Sequence, residues 1–244
     1  MPKLAEKRAF GNSCPQSELG PLFPTTRLCG RWLQCERNSL HRVLLVGSLI
    51  SMQGETADRI LQTTRTLISD LGYSGFSYAD IAEVVKIRKA SIHHHFPTKA
   101  SLVVAVLKNH RERLLQGTQF LTQKNADPLA RLHAYVQHWE GCIRDKSEPF
   151  CIAALLAAEL PSLPEEVRFE VQQHFQELSG WIRETLEEGI RKRTLKLHGP
   201  PEDEAQTFMA TVHGAMLSAR ALGSCDVFHA VTASALQRIS TRKS

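Results

Sequence analysis

The sequence predicts an all-α protein, on three observations. Apolar residues return at helical spacing in successive windows from residue 56 onward. Glycine and proline fall between those windows, at Gly72, Pro97, Pro161, Pro164 and Pro201, where helices end or begin. About a third of the way along, two short helical segments joined by a tight turn lie between longer ones, the pattern of a helix-turn-helix module.

The first 53 residues stand apart from this pattern. They contain breaks at Pro15, Gly20, Pro21, Pro24 and Gly30, three of the six cysteines, and no sustained helical or strand period. They also hold seven Lys/Arg against three Glu, so most of the net charge of +5 lies here and the remainder is close to neutral. Overall basicity therefore does not by itself argue for a nucleic-acid partner. Two readings of residues 1–53 are open: a disordered basic arm that adds phosphate contacts, or an upstream extension ahead of a true start at Met52. The apolar run from Val43 to Met52 is broken by Gly47 and is too short to cross a bilayer. It lies too far into the chain for a secretion signal. With no CxxC pair, neither a disulfide framework nor a zinc ribbon is indicated, and a reducing, cytoplasmic setting with no membrane partner is expected.

The organised part opens with a helix over residues 56–71, with Ile60, Leu61, Thr64, Leu67, Ile68 and Leu71 at helical spacing and Gly72 as its cap. Ser77 then caps a second helix, with Asp80 in its first turn beside the positive end of the helix dipole. A break at 85–87 leads to a short third helix from Arg88 to His95, which Pro97 ends. Thr98 caps a fourth helix. Residues 54–114 thus form one unit and residues 115–244 a second, helical one. In the second unit Leu129, Leu132, Tyr135, Val136, Trp139 and Ile143 share a face, and "PFCIAALLAAEL" is apolar nearly all round. A long helix is expected from about Glu165 to Arg193, followed by two more.

The run "GYSGFSYADIAEVVKIRKASIHHHFPTKASLVVAVL" resembles the N-terminal domain of the TetR family of transcriptional regulators. The resemblance covers residues 55–107. It implies a sequence-specific DNA-binding regulator, a homodimer on a palindromic operator, and release by a small-molecule or thiol-reactive effector held in a helical effector-binding and dimerisation domain. DNA contacts are then expected from Ser77, Tyr78, Arg88, Lys89, Ala90, Ser91, His93, His94 and Lys99. Local charge agrees: Lys86, Arg88, Lys89 and Lys99 are basic, and residues 86–99 contain no acid. Arg88, Lys89 and Ser91 open the recognition helix, Ala90 allows close approach, and Lys99 heads the next helix with its amide towards a phosphate. The family pattern has glycine where this chain has Lys86, so a left-handed turn there would carry a cost of about 1 kcal/mol.

The triple histidine 93–95 invites a metal reading, which helix geometry rejects. Successive side chains point about 100° apart, so three adjacent imidazoles cannot reach one ion, and none has a ligand four residues away. No metal and no cofactor are expected. The family pattern instead turns His93 and His94 to phosphates and packs His95 partly inward.

Effector candidates in the second unit are Trp139, Phe150, Cys151, Phe175, Trp181, Phe208 and His213. Each is equally a core residue. Cys151, following Pro149 at a helix start, is expected to have a lowered thiol pKa and so to suit a sensor role, against the plainer reading of an inert buried cysteine. Ala210, Gly214, Ala215, Ser218 and Ala219 make a small-residue face for dimerisation. No nucleophile elbow, phosphate-cradling loop or HExxH is present, which argues against an enzyme. Two alternatives remain: a helical enzyme, which would turn over a ligand, and a structural module with a degenerate DNA-binding head, indifferent to loss of its basic residues.

Overall fold

The computed structural model describes residues 51–145 and 150–241, with side chains from residue 55. The readings of residues 1–50 lie outside the described residues. Nine α-helices make up the described part: α1 (Ser51–Leu71), α2 (Tyr78–Val85), α3 (Lys89–His95), α4 (Lys99–Lys124), α5 (Pro128–Asp145), α6 (Ile152–Ala158), α7 (Glu165–Arg191), α8 (Pro201–Leu222) and α9 (Cys225–Ile239). A single 3-10 turn covers Leu160–Ser162. Leu195 and Ser240 form an isolated antiparallel bridge. None of the described helices is long and apolar enough to cross a membrane.

The helix ends follow the chemistry read from the sequence. Gly72 ends α1 at φ +72°, a conformation open to glycine at no steric cost. Ser77 and Asp80 form a reciprocal capping box on α2: the Ser77 hydroxyl accepts from the Ala79 amide, and Asp80 accepts from the Ser77 amide at 2.7 Å. The Ser77 hydroxyl, donating to Asp80 at 2.8 Å, and the Ser77 amide hold the Asp80 carboxyl below its usual range. Thr98 and Ser101 cap α4 in the same reciprocal way. Lys86 does take the left-handed conformation, at φ 61°, ψ 45°. The turn keeps its shape with a lysine, and no rearrangement is needed.

Ile60, Ile68, Ile81, Ile92, Leu102 and Leu107 are fully buried and tie α1 to α4 together. The turn is fastened by polar contacts as well. Arg59 donates to the Val85 carbonyl at 2.8 Å, and the Tyr78 hydroxyl donates to the Phe96 carbonyl at 2.8 Å. The 26-residue α4 then runs without a break through residue 114, where the sequence suggested a boundary. The helix-turn-helix head and the helical body are built on one shared helix.

In the body, α4 packs on α7, with Leu121, Val167, Val171, Leu178, Ile182 and Leu186 buried. Arg111 of α4 pairs with Glu170 and Glu177 of α7, and Arg131 of α5 pairs with Glu188 of α7 at 2.6 Å. The apolar segment forms a short helix: α6 has seven residues and gives way to the 3-10 turn, with Pro161 and Pro164 beyond its end. The small-residue face divides. Ala215 and Ala219 are buried within the protein's own core, whereas Ala210, Gly214 and Ser218 are exposed.

Candidate nucleic-acid interface

The exposed face of the head is made by α3 and by the starts of α2 and α4. Arg88 stands at the N-cap of α3 in extended backbone, and Arg88, Lys89 and Ala90 are all exposed, with Ser91 half-buried. Ile92 alone anchors the helix, fully buried beneath it. One buried residue in seven leaves most of α3 free to enter a groove. His93 and His94 are exposed and His95 is half-buried, as the family pattern implied. The His93 ring packs 4.6 Å from that of Tyr78, and its Nδ1 lies 3.3 Å from the Pro97 carbonyl.

An open cleft of about 510 Å³ lies between these elements, lined by residues that include Ser77, Lys89, His93, Thr98 and Lys99. The starts of α2 and α4 border it. First-turn amides lack intrahelical partners, so both helix starts present donors and positive dipole ends towards the cleft.

Two expected contact residues play different parts with their side chains. Tyr78 is only 9% exposed, and its hydroxyl is committed to Phe96, so it fastens α2 to the end of α3. Lys99 turns inward. Its ammonium donates to the Phe76 carbonyl and sits 4.1 Å from the Phe76 ring centre and 5.0 Å from that of Tyr73. Burial holds it below the usual lysine range. Only the backbone amides of Tyr78 and Lys99 remain for a phosphate.

The effector candidates do not converge on one site. Trp181 donates to Thr122 Oγ1 at 3.0 Å and packs on Tyr135, closing the seam between α4, α5 and α7. Phe208 is 2% exposed and belongs to the core. Phe150 lies under the Arg220 guanidinium, 5.7 Å away. Trp139 is half-buried against His138. By contrast, Cys151, Phe175 and His213 meet around two histidines that the sequence reading passed over, His110 and His174. The rings of His110 and His174 stack at 4.9 Å, and Phe175 meets His213 edge-on at 5.2 Å. Cys151 Sγ is 3.7 Å from Nε2 of both His110 and His174. The signal in the sequence was faint: each histidine occupies one inward position on a long amphipathic helix, which a core residue does equally well.

The thiol chemistry differs from the expectation. Cys151 is the N-cap of α6 but is fully buried, and that burial pushes its thiol up to about 11, against the helping amides of Ala154 and Ala153 and the charge of Arg65. Desolvation outweighs the helix start, and the free thiol is not a ready thiolate. Burial likewise holds His174 down to about 3 and His213 down to about 4, so both imidazoles are neutral at neutral pH.

Comparison with known proteins agrees with this architecture. Residues 60–106 match the family described as "Bacterial regulatory proteins, tetR family", and residues 128–235 match "Tetracyclin repressor-like, C-terminal domain". A TetR-family transcriptional regulator from Agrobacterium tumefaciens, known from its crystal structure, is 51% identical; the match covers 78% of this chain and 100% of that one, with a TM-score of 0.76. The HTH-type transcriptional repressor NemR of Escherichia coli (strain K12) is 25% identical over 169 residues, 68% of this chain and 84% of its own length. The crystal structure of E. coli NemR in its reduced form shares the fold with a TM-score of 0.71, at 23% identity over 78% of this chain and 100% of that one.

Proposed function

Because the chain belongs to the TetR family of bacterial transcriptional regulators, we propose that it is a sequence-specific repressor that binds a palindromic operator as a homodimer through α3. The observation that carries this is the exposed basic start of α3, Arg88 and Lys89, beside two capped helix starts around one cleft. Arg88 is placed to take guanine O6 and N7 in the major groove, and Lys89 to meet a phosphate. His93 and His94 add phosphate contacts, and the amides of Tyr78 and Lys99 fix the head on the backbone.

Dimerisation is supported by an uncovered stripe on α8. Ala210, Gly214, Leu217, Ser218 and Ala221 recur at helical spacing and are all exposed, Leu217 to 47%. Among the described residues, and beyond the backbone of α8 itself, nothing lies within 4 Å of a Cβ built on Gly214, so the packing leaves room there for a second copy. An effector releases DNA only if it binds better to the dimer whose recognition helices are wrongly spaced for DNA.

Binding of the full chain to the duplex upstream of its own gene, over a salt series with excess competitor, tests the reading. Arg88→Ala should weaken the specific complex by roughly 1–3 kcal/mol and relax sequence preference, while Lys89→Ala should weaken all duplexes alike and reduce the salt slope by about one. Unchanged behaviour in both variants would favour the degenerate-head alternative. Turnover of a bound ligand would favour the enzyme.

A further inference from the structure

DNA binding leaves the buried histidine–cysteine cluster unexplained. His110 of α4, Cys151 at the head of α6 and His174 of α7 come from three helices, and their potential ligand atoms all lie within 4.8 Å of one another. Metal–sulfur and metal–nitrogen bonds of about 2.3 and 2.0 Å place neighbouring ligand atoms roughly 3.5–3.7 Å apart. The two sulfur–nitrogen separations here are 3.7 Å. The two sulfur–nitrogen separations suit a cation as they stand, and the two imidazole nitrogens, within 4.8 Å of each other, draw together to share it, which pulls on the helices that carry them. All three residues are buried: Cys151 is 0%, His174 2% and His110 7% exposed. Three polar heads in an apolar core cost desolvation, and weak sulfur–nitrogen hydrogen bonds return little of it. Nδ1 of His174 and Nε2 of the neighbouring His213 are buried with no hydrogen-bond partner among the described residues. The core here has more polar atoms than its own contacts satisfy.

We propose that His110, Cys151 and His174 form a binding site for a thiophilic d10 cation, Cu(I) ahead of Zn(II). One thiolate and two imidazoles suit either ion. Charge separates them. Binding releases the thiol proton to solvent as the metal–sulfur bond forms. Cu(I) with one thiolate is then neutral, whereas Zn(II) leaves a unit positive charge buried near Arg65, a cation that acts on Cys151.

The site is also placed to be felt by the head. Cys151 opens α6 and Glu159 closes it. Both carboxylate oxygens of Glu159 accept from the Tyr73 amide at 3.1 Å, just beyond the end of α1. A Cβ on Gly72 would lie 2.3 Å from Glu159 Oε1, so the carboxylate that closes α6 packs directly on the turn that ends α1. Movement of α6 on metal binding passes to α1. This coupling, though not the site itself, rests on the regulator reading above.

The test is anaerobic titration of the reduced full chain with Cu(I) against a chromogenic chelator, alongside Co(II) as the spectroscopic substitute for Zn(II). X-ray absorption on the loaded protein reads the ligand set. The expected result is one equivalent of Cu(I) bound to two nitrogens and one sulfur. That equivalent should be lost in Cys151→Ala and in His174→Gln and retained in Cys225→Ser, with helicity unchanged in all three. Uptake undiminished in folded Cys151→Ala, or a sulfur-only environment, would overturn the site. Zn(II) uptake without Cu(I) would overturn the ion assignment. DNA affinity should fall about tenfold on loading, and Glu159→Ala should bind metal normally but lose that response. Normal metal uptake with no DNA binding in any state would count against the regulator reading and leave the site standing.

Discussion

Lysines 89 and 99 show how far a motif specifies single side chains. Both are basic, both were expected at the DNA, and both border the same cleft. Lys89 is exposed, whereas the Lys99 ammonium is bonded to the Phe76 carbonyl and covered by two aromatic rings. Lys99→Ala should therefore cost about 2 kcal/mol of stability, from a charge-assisted hydrogen bond plus cation–π contact. Lys89→Ala should change stability by less than about 0.5 kcal/mol. Urea unfolding of the two variants measures the contrast, and equal losses would contradict it. The exposure of His93 and His94 was legible through the family pattern, and the left-handed Lys86 through the glycine which that pattern has there. The inward turn of Lys99 was not. It depends on the carbonyl of a residue 23 positions earlier, which no local pattern reveals.

At the scale of elements, capping residues located several helix starts. Ser77, Thr98 and Pro201 each stand at or beside the first residue of the expected helix. Their chemistry is carried within three or four residues, so the sequence displays it. The full length of α4 was not legible. Nothing local marks a domain boundary inside a continuous helix. Pairs between elements were also out of reach. Glu188 of α7 accepts from Arg131 of α5, 57 residues away, and pairs with Lys192 at 2.7 Å. Those bonds hold its carboxyl down to about 2. Against an unfolded value of about 4.3, the folded state binds the proton more weakly. The contribution is full above that unfolded value and is lost as pH falls towards 2. The stability gap between the protein and Glu188→Gln should narrow over that window. A gap independent of pH would remove this pairing from the account.

For the whole molecule, fold class and the head followed from periodicity, while the arrangement of the body's interior did not. His110, Cys151 and His174 are separated by 41 and 23 residues and meet only because α4, α6 and α7 pack around one point. The effector candidates were chosen as large inward residues, and most of them fill the core as such residues do. The outward stripe of α8 completes the functional logic. A two-fold dimer through it would place two α3 helices for successive half-sites, and the operator's symmetry would mirror that of the protein.

The most direct measurement is selection of the full chain on random-sequence duplexes, followed by footprinting of the enriched sites. The account predicts an inverted repeat with half-sites separated by about one helical turn or a multiple of it. It also predicts that Arg88→Ala together with Lys89→Ala abolishes the enrichment while leaving the helical fold intact. No enrichment, or the same repeat recovered by the double variant, would contradict the assignment of α3 as the reading helix.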